Sequence, residues 1–246
     1  MTTRWPTALP TGLLAETEVH LWLACLDVAP ETLSQWEQIL SVAERARASR
    51  FHFEKDRRHY LAAHAILRFL LGTYLKMDPA QLQFAADTLG KPHVLNDAKP
   101  SSLSFNLSDS AGLALYGVTR GRRIGVDLEK VRPGLSPEAI AASFFSRGEI
   151  RTLRSLPIEQ QGEAFFNCWT CKEAFLKARG SGLLAPLDQF EVAFLPGDSP
   201  AILHAADDPE ARERWTVRRL APAPGYAAAV VVEGRDLQFK HWQWQA

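Results

Sequence analysis

The chain has 246 residues, of which 46% are hydrophobic and 23% are charged, a composition typical of one or two folded domains. Lysine plus arginine and aspartate plus glutamate number 28 each, so no overall field attracts nucleic acid or a membrane surface. Three cysteines are too few for a disulfide framework. The start of the chain lacks a secretory signal, and no apolar run approaches the ~20 residues of a membrane span. We therefore predict a cytoplasmic protein that binds neither nucleic acid nor membrane.

The first residues predict a strand followed by helices. Residues 19–28 have the pattern of a strand, and helical pattern follows from about Pro30. Ser41 and Glu44 have the spacing of a capping box. Asp56 stands where it could cap a longer helix, because apolar residues recur after it at helical spacing.

The middle and end of the chain repeat this organisation. Two short strands flank a Gly-Lys-Pro turn within residues 82–95, and residues 103–118 and 123–131 read as further strands. The pattern becomes helical after Pro133 and strand-like again from Leu187. Each half therefore combines strands with a long helix, which predicts an α+β or an α/β fold. We expect two similar lobes that meet near residue 120.

Residues 44–58 hold six basic and three acidic residues, a local net charge of +3. Such a segment is either a solvated helical face or the binding site of an anion. Arg57 and Arg58 would lie in the first turn of the long helix, where a cation opposes the helix dipole unless an anion lies beside it.

The stretch GVDLE predicts a pair of carboxylates on one face of a strand. Asp127 and Glu129 are two residues apart, so they point to the same side, while Val126 and Leu128 point towards a core. Oxygen-rich pairs of this kind suit Mg²⁺, which often binds through one or two carboxylates and a substrate phosphate. The alternative is a solvated strand edge, with Lys130 offsetting one charge.

The stretch FNCWTCKEAFLKARGSG predicts a helix that ends at Gly180. Cys168 and Cys171 fall inside its wide apolar arc, and there is no second pair of cysteines to complete a zinc site. We interpret them as buried structural thiols. Lys172 also falls within this arc and must either extend its ammonium to solvent or meet an anion.

Glu173 and Lys177 lie at the polar edge of the same helix. They are four residues apart, with the glutamate nearer the N-terminus, and as an exposed ion pair they would contribute only ~0.3–0.5 kcal/mol. In FNLSDS, serine hydroxyls and backbone N–H groups could hold a phosphate, although turn formation alone also explains this composition.

Read in order, LGKPHV, FNLSDS, IGVDLEKV, FFSRGE and FFNCWTCKEAFLKARGSGL resemble the 4′-phosphopantetheinyl transferases. They resemble the larger type, which acts on carrier proteins of fatty-acid, polyketide and nonribosomal-peptide synthesis. The resemblance implies a pseudo-dimeric α+β fold with the active site between lobes 1–120, which makes the coenzyme A contacts, and 121–246, which carries the metal carboxylates and the catalytic helix. It also implies a monomer that transfers 4′-phosphopantetheine from coenzyme A to a serine of an apo acyl or peptidyl carrier protein and releases adenosine 3′,5′-bisphosphate.

The resemblance also implies roles for individual residues. Asp127, Glu129 and Glu173 match the family's Mg²⁺ ligands, with Mn²⁺ as a second metal that would suit them. Lys177 matches the lysine at the transferred phosphate, and Glu173 is the candidate base, with a metal-bound water as the alternative. The predicted coenzyme A contacts are Arg47, either Arg58 or His59, Lys91, Pro92, Ser108, Asp109, Asp127 and Lys177.

One position departs from the family pattern. Many relatives have histidine where this chain has Asp109, and that histidine helps to bind the 3′-phosphate of coenzyme A. A carboxylate ~4 Å from a phosphate would cost about 1 kcal/mol per charge pair in water and up to ~4 kcal/mol at an effective dielectric constant of 20. We expect Asp109 to orient its neighbours while residues 44–58 bind the phosphate, with His59, Arg58 or Lys91 offsetting its charge.

Two other functions remain open from the sequence. Asp109 alone raises the possibility of a catalytically silent relative that binds carrier proteins, and carboxylates with basic residues would also suit an Mg²⁺-dependent phosphohydrolase. For carrier docking, FFSRGE and the residues after it offer Phe144, Phe145, Arg147 and Arg151. The two phenylalanines would suit a core equally well.

Overall fold

The computed structural model describes residues 5–7, 14–96, 99–100, 102–132, 137–180, 186–195 and 197–245. Its first half contains, in order, β1 (Glu18–Cys25), α1 (Pro30–Glu37), α2 (Val42–Ala48), α3 (Glu54–Leu75), β2 (Gln83–Ala86), β3 (Pro92–Asn96), β4 (Lys99–Pro100), β5 (Leu103–Ser110) and β6 (Leu113–Arg120). The capping box predicted at the start of α2 is present, because Ser41 accepts from the Glu44 N–H and Glu44 accepts from the Ser41 N–H. The long helix begins at Glu54, two residues before the predicted Asp56, and Phe53 precedes it without a side-chain cap.

The second half again places a long helix among strands. It contains β7 (Ile124–Lys130), α4 (Pro137–Phe144), α5 (Arg147–Arg154), α6 (Ile158–Arg179), β8 (Phe190–Val192), β9 (Ile202–Ala205), α7 (Ala211–Arg214), β10 (Trp215–Leu220), β11 (Tyr226–Glu233) and β12 (Gln238–Gln243). Helix α6 ends where the sequence predicts, because Gly180 adopts a left-handed conformation with φ of 76°, which glycine reaches without a steric penalty.

Two sheets pack face to face between the long helices. One sheet has the order β12-β1-β6-β5, and the other has the order β10-β11-β7. Apolar residues of α3, such as Ile66, pack on the first sheet, and those of α6, such as Phe175, pack on the second. Leu21, Val126 and Val230 belong to a third cluster that lies between the sheets. The layers therefore run helix, sheet, sheet, helix.

The last strand joins the sheet of the first half. β12 pairs in parallel with β1, and Trp242 stacks on Trp22 with ring centroids 5.2 Å apart. The division into lobes 1–120 and 121–246 stays a prediction. β12 belongs to the second of these lobes in sequence but forms hydrogen bonds with β1 of the first. It fastens the end of the chain to the first half.

Strands β5 and β7 are the edge strands at which the two sheets meet. Every second side chain of β5 accepts a hydrogen bond from a backbone N–H of β7: Asn106 from Val126, Ser108 from Leu128 and Ser110 from Lys130, at 2.8, 3.2 and 3.1 Å. This pairing satisfies an edge that would otherwise be open. The alternating polar residues of FNLSDS thus join the two halves of the chain. The turn at Ala111 and Gly112 follows, with φ of 46° and 89°.

Within the residues that the structure describes, no helix is both long and apolar enough to cross a membrane.

Candidate active site

Gly125 lets α6 approach β7 at backbone distance. A Cβ atom at this position would lie 2.0 Å from the Ala174 carbonyl oxygen and 2.3 Å from the Ala178 nitrogen, which is far inside van der Waals contact. Only glycine fits there. Because Asp127 and Glu129 share the face of Gly125, this close contact brings them beside the last turns of α6, which carry Glu173 and Lys177.

Asp127 is the buried centre of the site, with 3% of its surface exposed. Its Oδ1 atom accepts hydrogen bonds from Lys177 Nζ at 2.6 Å and from Ser108 Oγ at 3.0 Å. Its Oδ2 atom is buried and has no hydrogen-bond partner within the described part of the chain. A buried carboxylate oxygen without a partner is costly, so a cation bound there would satisfy it.

Glu129 and Glu173 complete a group of three carboxylates. Burial and the charge of Asp127 raise the pKa of Glu129, whose Oε2 atom also accepts from Ser110 Oγ at 3.2 Å. Burial and the charges of Asp127 and Glu129 raise the pKa of Glu173, whereas Lys177 lowers it. These three side chains therefore repel one another when ionised.

The three carboxylates have the chemistry that a divalent cation requires, although their oxygens do not converge on one point. Among the described residues, no three His, Cys, Asp or Glu side chains already stand at metal-binding distances. The Lys177 ammonium neutralises Asp127 in this arrangement. Three mutually repelling carboxylates and an unsatisfied buried oxygen are what hard, oxygen-seeking Mg²⁺ or Mn²⁺ would stabilise.

A cavity of about 720 Å³ opens beside FNLSDS and helix α3. Cationic, histidine, aromatic and apolar side chains all line it, and an anionic ligand with a planar ring suits that combination. The lining includes Arg47, Lys55, His59, Tyr60, His64, Pro92, Phe105, Asp109 and Arg132. Of the predicted coenzyme A contacts, Arg47, His59, Pro92 and Asp109 therefore lie together.

The structure separates the two candidates at the start of α3. His59 lines the cavity and is held by Asp27, whose Oδ1 atom is 2.9 Å from His59 Nε2. This hydrogen bond lowers the pKa of the Asp27 carboxyl. Arg58 instead donates to the Val28 carbonyl at 2.8 Å. The geometry thus favours His59 over Arg58 as the coenzyme A contact. That either residue binds coenzyme A stays a prediction.

Asp109 lines the same cavity as His59 and His64 of α3. Although the residue is exposed, its carboxylate lies in the concave wall, and desolvation raises its pKa while nearby His64, Lys177 and His59 lower it. Of the predicted offsetting charges, His59 is among those that lower this pKa, and His64 and Lys177, which were not predicted, act with it. The Lys91 ammonium instead donates to backbone oxygens of α6 and β7.

The Lys91 side chain contacts the second half of the chain. Its ammonium donates to the backbone oxygens of Ile124, Lys177 and Ala178 at 2.8, 2.7 and 3.0 Å. Burial lowers the pKa of Lys91 to about 8. Its role as a coenzyme A contact stays a prediction, but in this structure its three N–H groups are already used within the protein.

The buried arc of α6 behaves as the sequence predicts. Cys168 and Cys171 are both buried thiols, and burial raises the pKa of Cys171 to about 12, so neither suits redox or metal chemistry. Lys172 meets an anion: Glu149, also buried, accepts from its ammonium at 2.7 and 2.9 Å. This ion pair ties α6 to α5.

The aromatic residues considered for docking divide between surface and core. Phe145 is buried and stacks on Phe165, with ring centroids 5.2 Å apart. Phe144 is 44% exposed and has its ring against the edge of Trp169. Only Phe144 of the two is available to a partner.

Comparisons with known proteins match both halves of the chain. A family model described as "4'-phosphopantetheinyl transferase, N-terminal" matches residues 28–117, and one described as "4'-phosphopantetheinyl transferase superfamily" matches residues 123–231. The chain is 42% identical over 240 residues to the 4'-phosphopantetheinyl transferase HetI of Nostoc sp. (strain PCC 7120), with 98% of each chain covered. The chain belongs to the 4′-phosphopantetheinyl transferase family.

Two further proteins show lower identity to this chain. The 4'-phosphopantetheinyl transferase psf-1 of Bacillus pumilus is 33% identical over 202 residues, which are 82% of each chain. A solved structure of holo-(acyl-carrier-protein) synthase from Bacillus anthracis, in complex with CoA (3',5'-ADP), matches 45% of this chain and 94% of its own at 18% identity and a TM-score of 0.38, too distant a likeness to carry an argument. Family membership confirms the predicted enzyme class and the α+β fold.

Sequence reasoning missed several residues of the site. Asp27 lies after β1 and His64 lies in α3, both far along the chain from the motifs. The fold brings His64 to the cavity wall and Asp27 to His59. Gly125 could have been found from the sequence, because a glycine inside a predicted strand indicates that another backbone approaches closely. Asn106 and Ser110 could have been found from the alternation of polar residues in FNLSDS.

Proposed function

We propose that this transferase moves the 4′-phosphopantetheine group of coenzyme A to a serine of an apo acyl or peptidyl carrier protein and releases adenosine 3′,5′-bisphosphate. One observation carries the proposal most strongly. Asp127 has a buried oxygen with no partner among the described residues, and its other oxygen binds Lys177 and Ser108. Ser108 lies on β5, whose residues Asn106, Asp109 and Ser110 line the cavity. Relatives are named 4'-phosphopantetheinyl transferases, including HetI, which matches this chain over nearly its full length.

The three carboxylates are the proposed metal ligands. Asp127, Glu129 and Glu173 would hold Mg²⁺ or Mn²⁺, which, when bound, would neutralise pyrophosphate charge and lower the barrier to displacement. Phosphoryl-type transfer needs positioning and charge stabilisation more than covalent catalysis. These residues supply both because Gly125 fixes the distance between β7 and α6.

Lys177 and Glu173 are the proposed catalytic residues. Lys177 Nζ lies 2.6 Å from Asp127 and 2.9 Å from Ser108 Oγ, so it stands at the joint between the halves, where it would meet the phosphate that is transferred. The serine hydroxyl of the carrier must lose a proton as its oxygen attacks. Glu173, on the same helix face one turn earlier, is the proposed acceptor.

The cavity beside α3 is the proposed coenzyme A site. Arg47 and His59 would bind phosphate, and Tyr60 with Pro92 would border the base. Ser108 would contact coenzyme A where β5 meets β7, next to Asp127. Since residues from both halves of one chain form the site, we propose that a single chain, with lobes 1–120 and 121–246, is the active unit.

A mass measurement on the carrier tests this function. Apo carrier protein is incubated with coenzyme A, Mg²⁺ and the enzyme, and a mass gain equal to one phosphopantetheine group is expected. An unchanged carrier that still binds the protein would instead identify a catalytically silent relative. Hydrolysis of coenzyme A without a loaded carrier would identify a phosphohydrolase. Omitting the enzyme provides the control.

The Asp109→His variant is expected to bind coenzyme A about as tightly as the unchanged protein. The reason is that His59 and His64 already act on the Asp109 carboxylate, and the proposed phosphate contacts lie on α2 and α3. Isothermal titration with coenzyme A measures this. A gain in affinity of about tenfold, or 1.4 kcal/mol, would show instead that Asp109 weakens a phosphate site.

A further inference from the structure

We propose that Lys91 is a positioning residue that fixes the end of α6, and thereby Lys177, from the opposite half of the chain. The proposal rests on the proposed transfer reaction, because its readout is that reaction. It assigns Lys91 a different role from the coenzyme A contact that the sequence predicts. The contacts of its ammonium, the loop that holds it and the atoms it reaches each support the assignment.

Hydrogen bonds in the turn before Lys91 fix the backbone from which this side chain extends. Asp87 Oδ1 accepts from the backbone N–H groups of Leu89 and Lys91 at 2.9 and 2.8 Å, and the Asp87 N–H donates to the Lys91 carbonyl at 2.9 Å. Gly90 adopts φ of 89° to close the turn, a conformation favoured by glycine. The backbone at Lys91 is therefore held from both sides.

The ammonium reaches backbone groups that need a donor. Lys177 and Ala178 lie in the last turn of α6, where carbonyl oxygens lack partners within the helix. A cation at that end is also favoured by the helix dipole. The third acceptor is the carbonyl of Ile124, the first residue of β7. One side chain thus joins the end of α6 to the start of β7.

These two elements carry the catalytic groups. Lys177 is itself one of the residues whose carbonyl Lys91 binds, and Asp127 follows Ile124 by three residues along β7. Gly125 lets α6 and β7 pack closely because it has no side chain. Lys91 adds three directed hydrogen bonds between them. Loss of these bonds would let the last turn of α6 shift, and Lys177 would move away from Asp127.

Steady-state kinetics of Lys91→Met test the role. The methionine keeps an apolar stem and removes the donors, so kcat for carrier loading is expected to fall roughly 10- to 100-fold, as small misplacements of catalytic groups do. The KM for coenzyme A is expected to stay within about twofold. Lys76→Met is the matched control, since Lys76 is exposed and lines no part of the cavity. It should leave both constants unchanged.

A double variant separates positioning from direct contact. If Lys91 acts through Lys177, then adding Lys91→Met to Lys177→Ala should lower kcat by less than about twofold more, because the two effects share one path. Full additivity of the two losses would overturn the proposal. A raised KM for coenzyme A with kcat unchanged would overturn it too, and would restore the predicted ligand contact.

Two controls keep the outcome interpretable. Near-ultraviolet circular dichroism confirms that each variant is folded, and Lys91→Gln, which is shorter and keeps polar donors, replaces Lys91→Met if the latter does not fold. The unchanged enzyme is assayed first. If it loads no carrier, the proposed function fails. If it does and Lys91→Met or Lys91→Gln retains full kcat, only the positioning role fails.

Discussion

Replacing Asp127 with asparagine is expected to lower kcat for carrier loading on the order of 100- to 1,000-fold, the usual cost of removing one preorganised electrostatic group. Asparagine has the same shape and keeps an oxygen for Lys177 and Ser108. It removes the negative charge on which both the metal and the Lys177 contact depend. Loading is measured by carrier mass at fixed times.

The matched control for this variant is Asp188→Asn, the same chemical change at an exposed position on the turn Leu187–Gln189. It should load the carrier at the original rate. Equal melting temperatures of the two variants would show that the fold is intact. If Asp127→Asn kept more than about a third of the rate, Asp127 would have no catalytic or metal-binding role.

Replacing Lys172 with methionine is expected to lower the free energy of unfolding by about 3–5 kcal/mol, because it leaves a buried glutamate without its cation. Lys172 is fully buried and Glu149 is 3% exposed. The ammonium also donates to the Phe190 carbonyl at 2.5 Å. Glu149 in turn accepts from the Val192 N–H at 2.9 Å. Urea denaturation measures the loss.

Two further variants isolate the cause of that loss. Combining Lys172→Met with Glu149→Gln removes the stranded charge, so the pair should lose less stability than Lys172→Met alone. Glu163→Met, which also removes a charge but at an exposed site of α6, should change the free energy of unfolding by less than ~0.5 kcal/mol. A loss under 1 kcal/mol for Lys172→Met would contradict a tightly coupled buried pair.

The carboxylates and the catalytic helix could be predicted because each depends on local spacing. Asp127 and Glu129 share a face by the two-residue period of a strand, and Glu173 and Lys177 share one by the period of a helix. The buried thiols and the need of Lys172 for an anion followed from the same helical arc. Their mutual approach was implied by the family resemblance and not by spacing.

The parts that depend on tertiary contact could not be predicted. Lys91 reaches carbonyls 33 to 87 residues away in the chain, and nothing in Gly-Lys-Pro identifies those acceptors. Asp27 meets His59 only because α3 packs against the sheet that contains β1. The pairing of β12 with β1 likewise joins the two ends of the chain, which a pass along the sequence cannot reveal.

The dependence of transfer on a divalent cation most directly tests whether Asp127, Glu129 and Glu173 form a metal site. Carrier loading by the unchanged enzyme is followed after treatment with a chelator and then during titration with Mg²⁺. We predict that the chelator stops loading, that Mg²⁺ restores it, and that Glu129→Gln raises the Mg²⁺ concentration needed for half-maximal rate. Loading that continues at the full rate in the chelator would contradict the metal site.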